Sequence, residues 1–124
     1  MEFKFERLEV WQLALEYLDL VYQIAGQLPE SEDYNLKSQI IRAATSISLN
    51  VAEGSTSRTG AEQGRFLGIA LRSAIETVAC LRLIERRKYV TGMLMTDTCI
   101  CGEKLFAKLQ AFRKSLEGAS DAGP

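Results

Sequence analysis

Between Leu8 and Leu28, apolar side chains recur at alternating intervals of three and four residues: Trp11, Ala14, Leu18, Val21, Ala25 and Leu28. A helix turns 100° per residue, so this spacing lines one helical face, whereas a strand would need strict alternation. A second series, Val10, Leu13, Tyr17, Leu20 and Ile24, runs beside the first. Together they cover more than half the helix circumference, and Gln12, Glu16, Asp19 and Gln23 are squeezed onto the remainder. Pro29 and Pro124 are the only prolines in 124 residues, so long stretches contain no helix breaker.

The periodicity predicts a first helix over residues 8–28, stopped by Pro29. The acidic connector Pro29-Glu-Ser-Glu-Asp33 suits a turn and then a helix N-terminus, where negative charge meets the positive end of the dipole. A second helix is expected over 34–53, with Leu36, Ile40, Ala43, Ile47 and Val51 inward and Gly54 as its C′ glycine. Thr59 and Glu62 read as a capping box that opens a third helix over 60–88. This helix again carries two seams: Phe66, Ile69, Ser73, Glu76, Cys80 and Leu83, and Leu67, Leu71, Ala74, Val78 and Leu81. Leu94, Thr98, Cys101, Leu105, Leu109, Phe112 and Leu116 mark a fourth helix over 92–117, and the small residues of 119–124 read as a disordered tail. Connectors this short force antiparallel neighbours. The fold class is therefore all-α, an up-down-up-down four-helix bundle occupying residues 1–118 as one domain.

A helix in an isolated bundle needs one apolar stripe a little over 100° wide. The first and third helices each have two, and leaving one in water forgoes about 1.5–3 kcal/mol per large side chain. The sequence thus predicts a homo-oligomer, with Val10, Leu13, Tyr17, Leu20 and Ile24 of one copy meeting Leu67, Leu71 and Val78 of the next. Charge is distributed to match. Residues 1–54 hold nine acids against four bases, and residues 55–90 hold three acids against seven bases, within a net charge of −1. Glu9 and Glu16 rim the first helix's second seam, and Arg58, Arg65, Arg72 and Arg86 share one heptad row of the third. Opposite charges flanking apolar seams select partners in coiled coils.

The chain has no histidine, which removes the commonest general base, the usual zinc ligand and every Ser-His or Cys-His nucleophile. No catalytic residue, metal site or cofactor is expected. Cys80, Cys99 and Cys101 read as reduced packing residues. The N-terminus lacks the pattern of a signal peptide and no run of apolar residues is long enough to span a membrane, so a cytoplasmic protein with no membrane partner is expected. One polar feature breaks the pattern. Arg42, Ser46, Asn50 and Glu53 form a stripe beside the second helix's apolar face, and Ser73 and Glu76 interrupt a seam of the third. If these six meet, they form a buried hydrogen-bonded network around an Arg42 ion pair; a solvated face or a ligand site remain open readings. The arginine row is open to more than one reading as well: a phosphate-contacting surface, an intersubunit salt-bridge row or a solvated face. No aromatic residue interleaves with these arginines, which argues against stacking of single-stranded bases.

The run Gln39-Ile-Ile-Arg42-Ala-Ala-Thr-Ser46-Ile-Ser-Leu-Asn50-Val-Ala-Glu53-Gly54 resembles the signature of the bacterial four-helix-bundle proteins encoded in 23S rRNA intervening sequences. Leu8-Glu-Val-Trp11-Gln12, the spacing of Pro29, Glu32, Tyr34 and Leu36, and that of Phe66, Ile69, Ala70, Ser73 and Glu76 fit the same pattern. The resemblance implies a four-helix bundle in a homopentameric ring and brings no established enzymatic activity with it, so a non-enzymatic protein is expected. The chain is also similar to the accessory protein of diversity-generating retroelements, which makes RNA or a ribonucleoprotein the expected partner besides itself; a protein-binding scaffold without nucleic acid is the alternative. Arg72 departs from the pattern, standing where a glycine is expected before Ser73, with an anticipated effect on packing against the second helix.

Overall fold

The computed structural model describes residues 1–121, with side-chain environments through Gly118. Four helices organise the chain: α1 (Glu9–Gly26), α2 (Leu36–Gly54), α3 (Gly60–Arg86) and α4 (Met93–Asp121). Short 3-10 turns at Lys4–Arg7 and Glu30–Glu32 lead into α1 and α2, and no strand occurs among the described residues. α3 ends at Arg86, and the link to α4 contains two left-handed residues, Lys88 at φ 60° and Gly92 at φ 80°. α4 runs four residues past the expected bound, to Asp121, and the rest of the expected tail lies outside the described residues.

α1 packs beside α2 and α4, α3 packs beside the same two, and α1 and α3 stand on the diagonal. Paired contacts show that neighbours are antiparallel, because residue numbers rise along one helix as they fall along the other. Ser46 meets Ser73 and Gly54 meets Phe66; Arg82 meets Cys99 and Gly68 lies under Arg113; Glu9 meets Lys108 and Tyr17 meets Gly102. The bundle is therefore up-down-up-down. Its centre holds Val21, Ile24, Ile40, Ile47, Leu67 and Leu105, all without solvent exposure.

This arrangement corrects the expected subunit interface. Val10, Leu13, Tyr17, Ile24, Leu67 and Leu71 are at most 9% exposed and are covered by their own chain; Leu20 and Val78 are half-buried. A corner helix touches two neighbours and the diagonal, so α1 buries both of its seams within one copy. Glu9 is paired at 3.3 Å with Lys108 of its own α4, while Glu16 remains exposed. Of the two helices with paired seams, α3 is the one that leaves seam residues in solvent: Ile69 and Leu83 of its first seam are exposed.

Local chemistry explains the helix ends. Thr59 Oγ1 accepts the Glu62 N–H at 3.1 Å, and the Glu62 carboxylate accepts the Arg58 N–H at 3.4 Å, satisfying donors at the start of α3. Gly54 has no positive φ and is the last residue of α2 rather than a C′ glycine. Its role is proximity: a Cβ there would stand 2.9 Å from Phe66 Cβ.

One contact ties the two connectors at the same end of the bundle. Tyr89 Oη donates to Glu32 Oε2 at 2.9 Å, and Asn35 Nδ2 donates to Glu32 Oε1 at 3.0 Å. These bonds favour the carboxylate and hold Glu32 below the usual carboxylate range, Tyr89 making the larger contribution. A depressed folded-state value contributes stability that is present above the unfolded value and is lost as pH falls through the folded one. The thermal midpoint is thus expected to fall on acidification below about pH 4.5 more steeply in the native protein than in Tyr89→Phe. Parallel melting curves for the two proteins between pH 6 and pH 3 would refute the latch.

Candidate functional site

Small polar residues of α2 and α3 meet where the two helices pass each other. Ser73 Oγ donates to Ser46 Oγ at 2.9 Å, and Asn50 Nδ2 donates to the Ser46 carbonyl at 2.8 Å and to its Oγ at 3.1 Å. Three of the six expected network members are therefore joined. The other three are not, which corrects the expectation of a buried ion pair. Arg42, Glu53 and Glu76 are exposed, Arg42 donates to Ser38 Oγ at 3.2 Å, and none of the three forms an ion pair among the described residues. The physical reason is orientation: this side of both helices faces solvent, so long charged side chains extend into water above the Ser46–Ser73 bond. Together with Gln39 and Leu49 they wall an open groove of about 670 Å³.

Arg58, Arg65, Arg72 and Arg86 are all exposed, and no carboxylate lies within ion-pair distance of them among the described residues. Arg72 stands in solvent, so its replacement of the expected glycine leaves the α2 contact undisturbed: Ser73 still reaches Ser46. A further arginine joins the row from α4. The guanidinium of Arg113 lies over Gly68, its Cζ 3.2 Å from where a Cβ would sit. Arg65, Arg72 and Arg113 then line one hollow of about 490 Å³ between α3 and α4, with Phe106 and Gln110. The sequence signal was the run Gly60, Gly64 and Gly68, which strips one side of α3 of side chains; a single-helix wheel does not say which residue crosses it.

Titratable groups inside the bundle are structural. Tyr17 Oη donates to Thr77 Oγ1 at 2.7 Å, and burial pushes its hydroxyl up to about 12. The three cysteines are free, and burial raises the thiols of Cys80 and Cys101 above their ordinary range, which disfavours the reactive thiolate. Among the described residues no group of three or more His, Cys, Asp or Glu could hold a metal ion, and no helix is long and apolar enough to cross a membrane.

The fold and site together define a small four-helix bundle with a solvated polar groove on one side and unpaired arginines on another. The family model of the 23S rRNA-intervening sequence proteins matches residues 6–111, and the chain belongs to that family. Among solved structures it is similar to a protein of unknown function from the S23 ribosomal protein family of Bacteroides thetaiotaomicron VPI-5482, with 26% identity and a TM-score of 0.78. That likeness covers 85% of this chain and 98% of the other. No curated protein matches the sequence.

Proposed function

We propose that the protein is a non-catalytic, self-associating interaction protein of the cytoplasm that contacts RNA through the arginines of α3. The observation that carries the reading is the outer α2–α3 surface, where Leu49 is 55%, Ile69 45% and Leu83 53% exposed. The antiparallel register that pairs Ser46 with Ser73 sets Leu49 and Ile69 at nearly the same level of the bundle. Burying the exposed half of three such side chains against another copy recovers roughly 0.7–1.5 kcal/mol each, a gain that is absent in the monomer. A ring of five is the assembly that the family resemblance implies. Each ring would repeat the unpaired Arg58, Arg65 and Arg72 around its circumference, making weak phosphate contacts multivalent.

Sedimentation velocity at low micromolar concentration tests the assembly. The native chain is expected as a closed oligomer and the double variant Leu49→Glu, Ile69→Glu as a monomer; a native monomer overturns the reading. Fluorescence anisotropy with a structured RNA tests the partner. Binding is expected to weaken roughly 40-fold between about 50 and 200 mM salt if three phosphates are neutralised. Arg58, Arg65 and Arg72 changed to Glu are expected to abolish it. If those changes dissolve the oligomer and no RNA is bound by the native chain, the row instead pairs with acids of a neighbouring copy, such as Glu16 and Asp19.

A further inference from the structure

Arg113 gives the α3–α4 side a character that the α3 row alone lacks. Gly60, Gly64 and Gly68 recur at every fourth residue of α3, and a Cβ added at Gly64 meets nothing within 4 Å. At Gly68 the added Cβ would press on the Arg113 guanidinium at 3.2 Å. Arg113 therefore rests on α3 because residue 68 has no side chain. None of Arg65, Arg72 and Arg113 has a carboxylate within ion-pair distance among the described residues. Glu117, one turn further along α4, borders the adjoining hollows without pairing with Arg113. Three unpaired guanidinium groups around one hollow raise the local positive potential and offer forked donors to oxyanions.

The same hollow has an apolar end. The contacts Gly68–Arg113 and Arg82–Cys99 fix the antiparallel register of α3 and α4. That register sets Phe106 level with Ile75, Gln110 level with Leu71, and Arg113 level with Gly68. From the half-buried Phe106 to Arg113 is two helical turns, about 10 Å. The order along the hollow is therefore aromatic, amide, guanidinium. Its volume of about 490 Å³ falls within the roughly 300–1,000 Å³ of small-ligand sites. Single-stranded nucleic acids are held by this set of groups: guanidinium on phosphate, aromatic face on base, amide on base edge. A duplex hides its base faces and has no use for the apolar end. The aromatic residue missing from the α3 row is supplied by α4.

We propose that this hollow holds one unstacked nucleotide of single-stranded RNA, its phosphate on Arg65, Arg72 and Arg113, its base against Phe106 and Ile75, and Gln110 on the base edge. The proposal rests on the RNA reading above and narrows it to unpaired strands.

Anisotropy with a labelled six-nucleotide uridine strand and with a blunt RNA duplex, at about 50 mM salt, separates the two. The strand is expected to bind more tightly than the duplex. Phe106→Leu keeps an apolar side chain in the core and is expected to weaken strand binding about tenfold while leaving the duplex unchanged. Arg113→Gln is expected to lower the salt slope for the strand by about one. Gln110→Ala alters an exposed residue and is expected to weaken the strand as well, so the test stands if Phe106→Leu unfolds. Equal binding of strand and duplex, unaffected by Phe106→Leu and Gln110→Ala, overturns the nucleotide site and leaves the RNA reading standing. Binding of neither probe overturns both.

Discussion

Truncating Tyr17 to alanine is expected to lower stability by about 3–5 kcal/mol, a large part of the roughly 5–15 kcal/mol that holds a small domain together. Tyr17 is 1% exposed and is the side chain of α1 that crosses the diagonal, donating to Thr77 of α3 at 2.7 Å. Its ring also lies against α4: a Cβ on Gly102 would be 2.9 Å from Cε1 and 3.0 Å from Oη. Removing the ring leaves a cavity lined by three helices. Tyr17→Phe isolates the hydroxyl. Thr77 Oγ1 would still donate to the Ala74 carbonyl at 2.6 Å, so the loss is one acceptor contact and about 0.5–1.5 kcal/mol. Urea midpoints at one fixed protein concentration measure both changes, with the slope expected to stay constant. A cost below about 1 kcal/mol for Tyr17→Ala would mean that α1's second seam is not closed by its own chain.

That seam shows where the sequence was legible and where it was not. Helical periodicity reports which faces of a helix are apolar, and it located four helices because each has such a face. It does not report how many neighbours cover the face. Val10, Leu13 and Ile24 looked like surplus because one stripe a little over 100° wide suffices for many bundle helices, whereas α1 buries both seams against α2, α4 and the diagonal. The polar site divided for a related reason. Ser46, Asn50 and Ser73 are short, so the helices' approach alone joined them. Arg42, Glu53 and Glu76 are long and could reach water, which no spacing rule excludes. Arg113 was invisible because its role depends on the register of α4 against the glycines of α3, a tertiary fact.

The glycines carry the second large effect, and its sign is diagnostic. In a helix interior, Gly→Ala ordinarily stabilises by about 1 kcal/mol. At Gly64, where an added Cβ meets nothing within 4 Å, that gain is expected. Gly54→Ala is expected to do the opposite and lower stability by about 1–3 kcal/mol, and Gly54→Val by more. The obstacle is Phe66 Cβ at 2.9 Å, an atom fixed to the α3 backbone that no rotamer change can move. Accommodating the new methyl group therefore requires α2 and α3 to separate. Phe66→Leu should give no rescue, since leucine keeps the same Cβ. Gly102→Ala presses instead on the ring of Tyr17, so a Tyr17→Leu partner should recover part of its cost in a double-mutant cycle. Separation of α2 from α3 would also lengthen the Ser46–Ser73 bond and shift Leu49 relative to Ile69, so Gly54→Ala should weaken self-association along with stability. A stabilised, still oligomeric Gly54→Ala protein would show that the two helices are not held in backbone contact there.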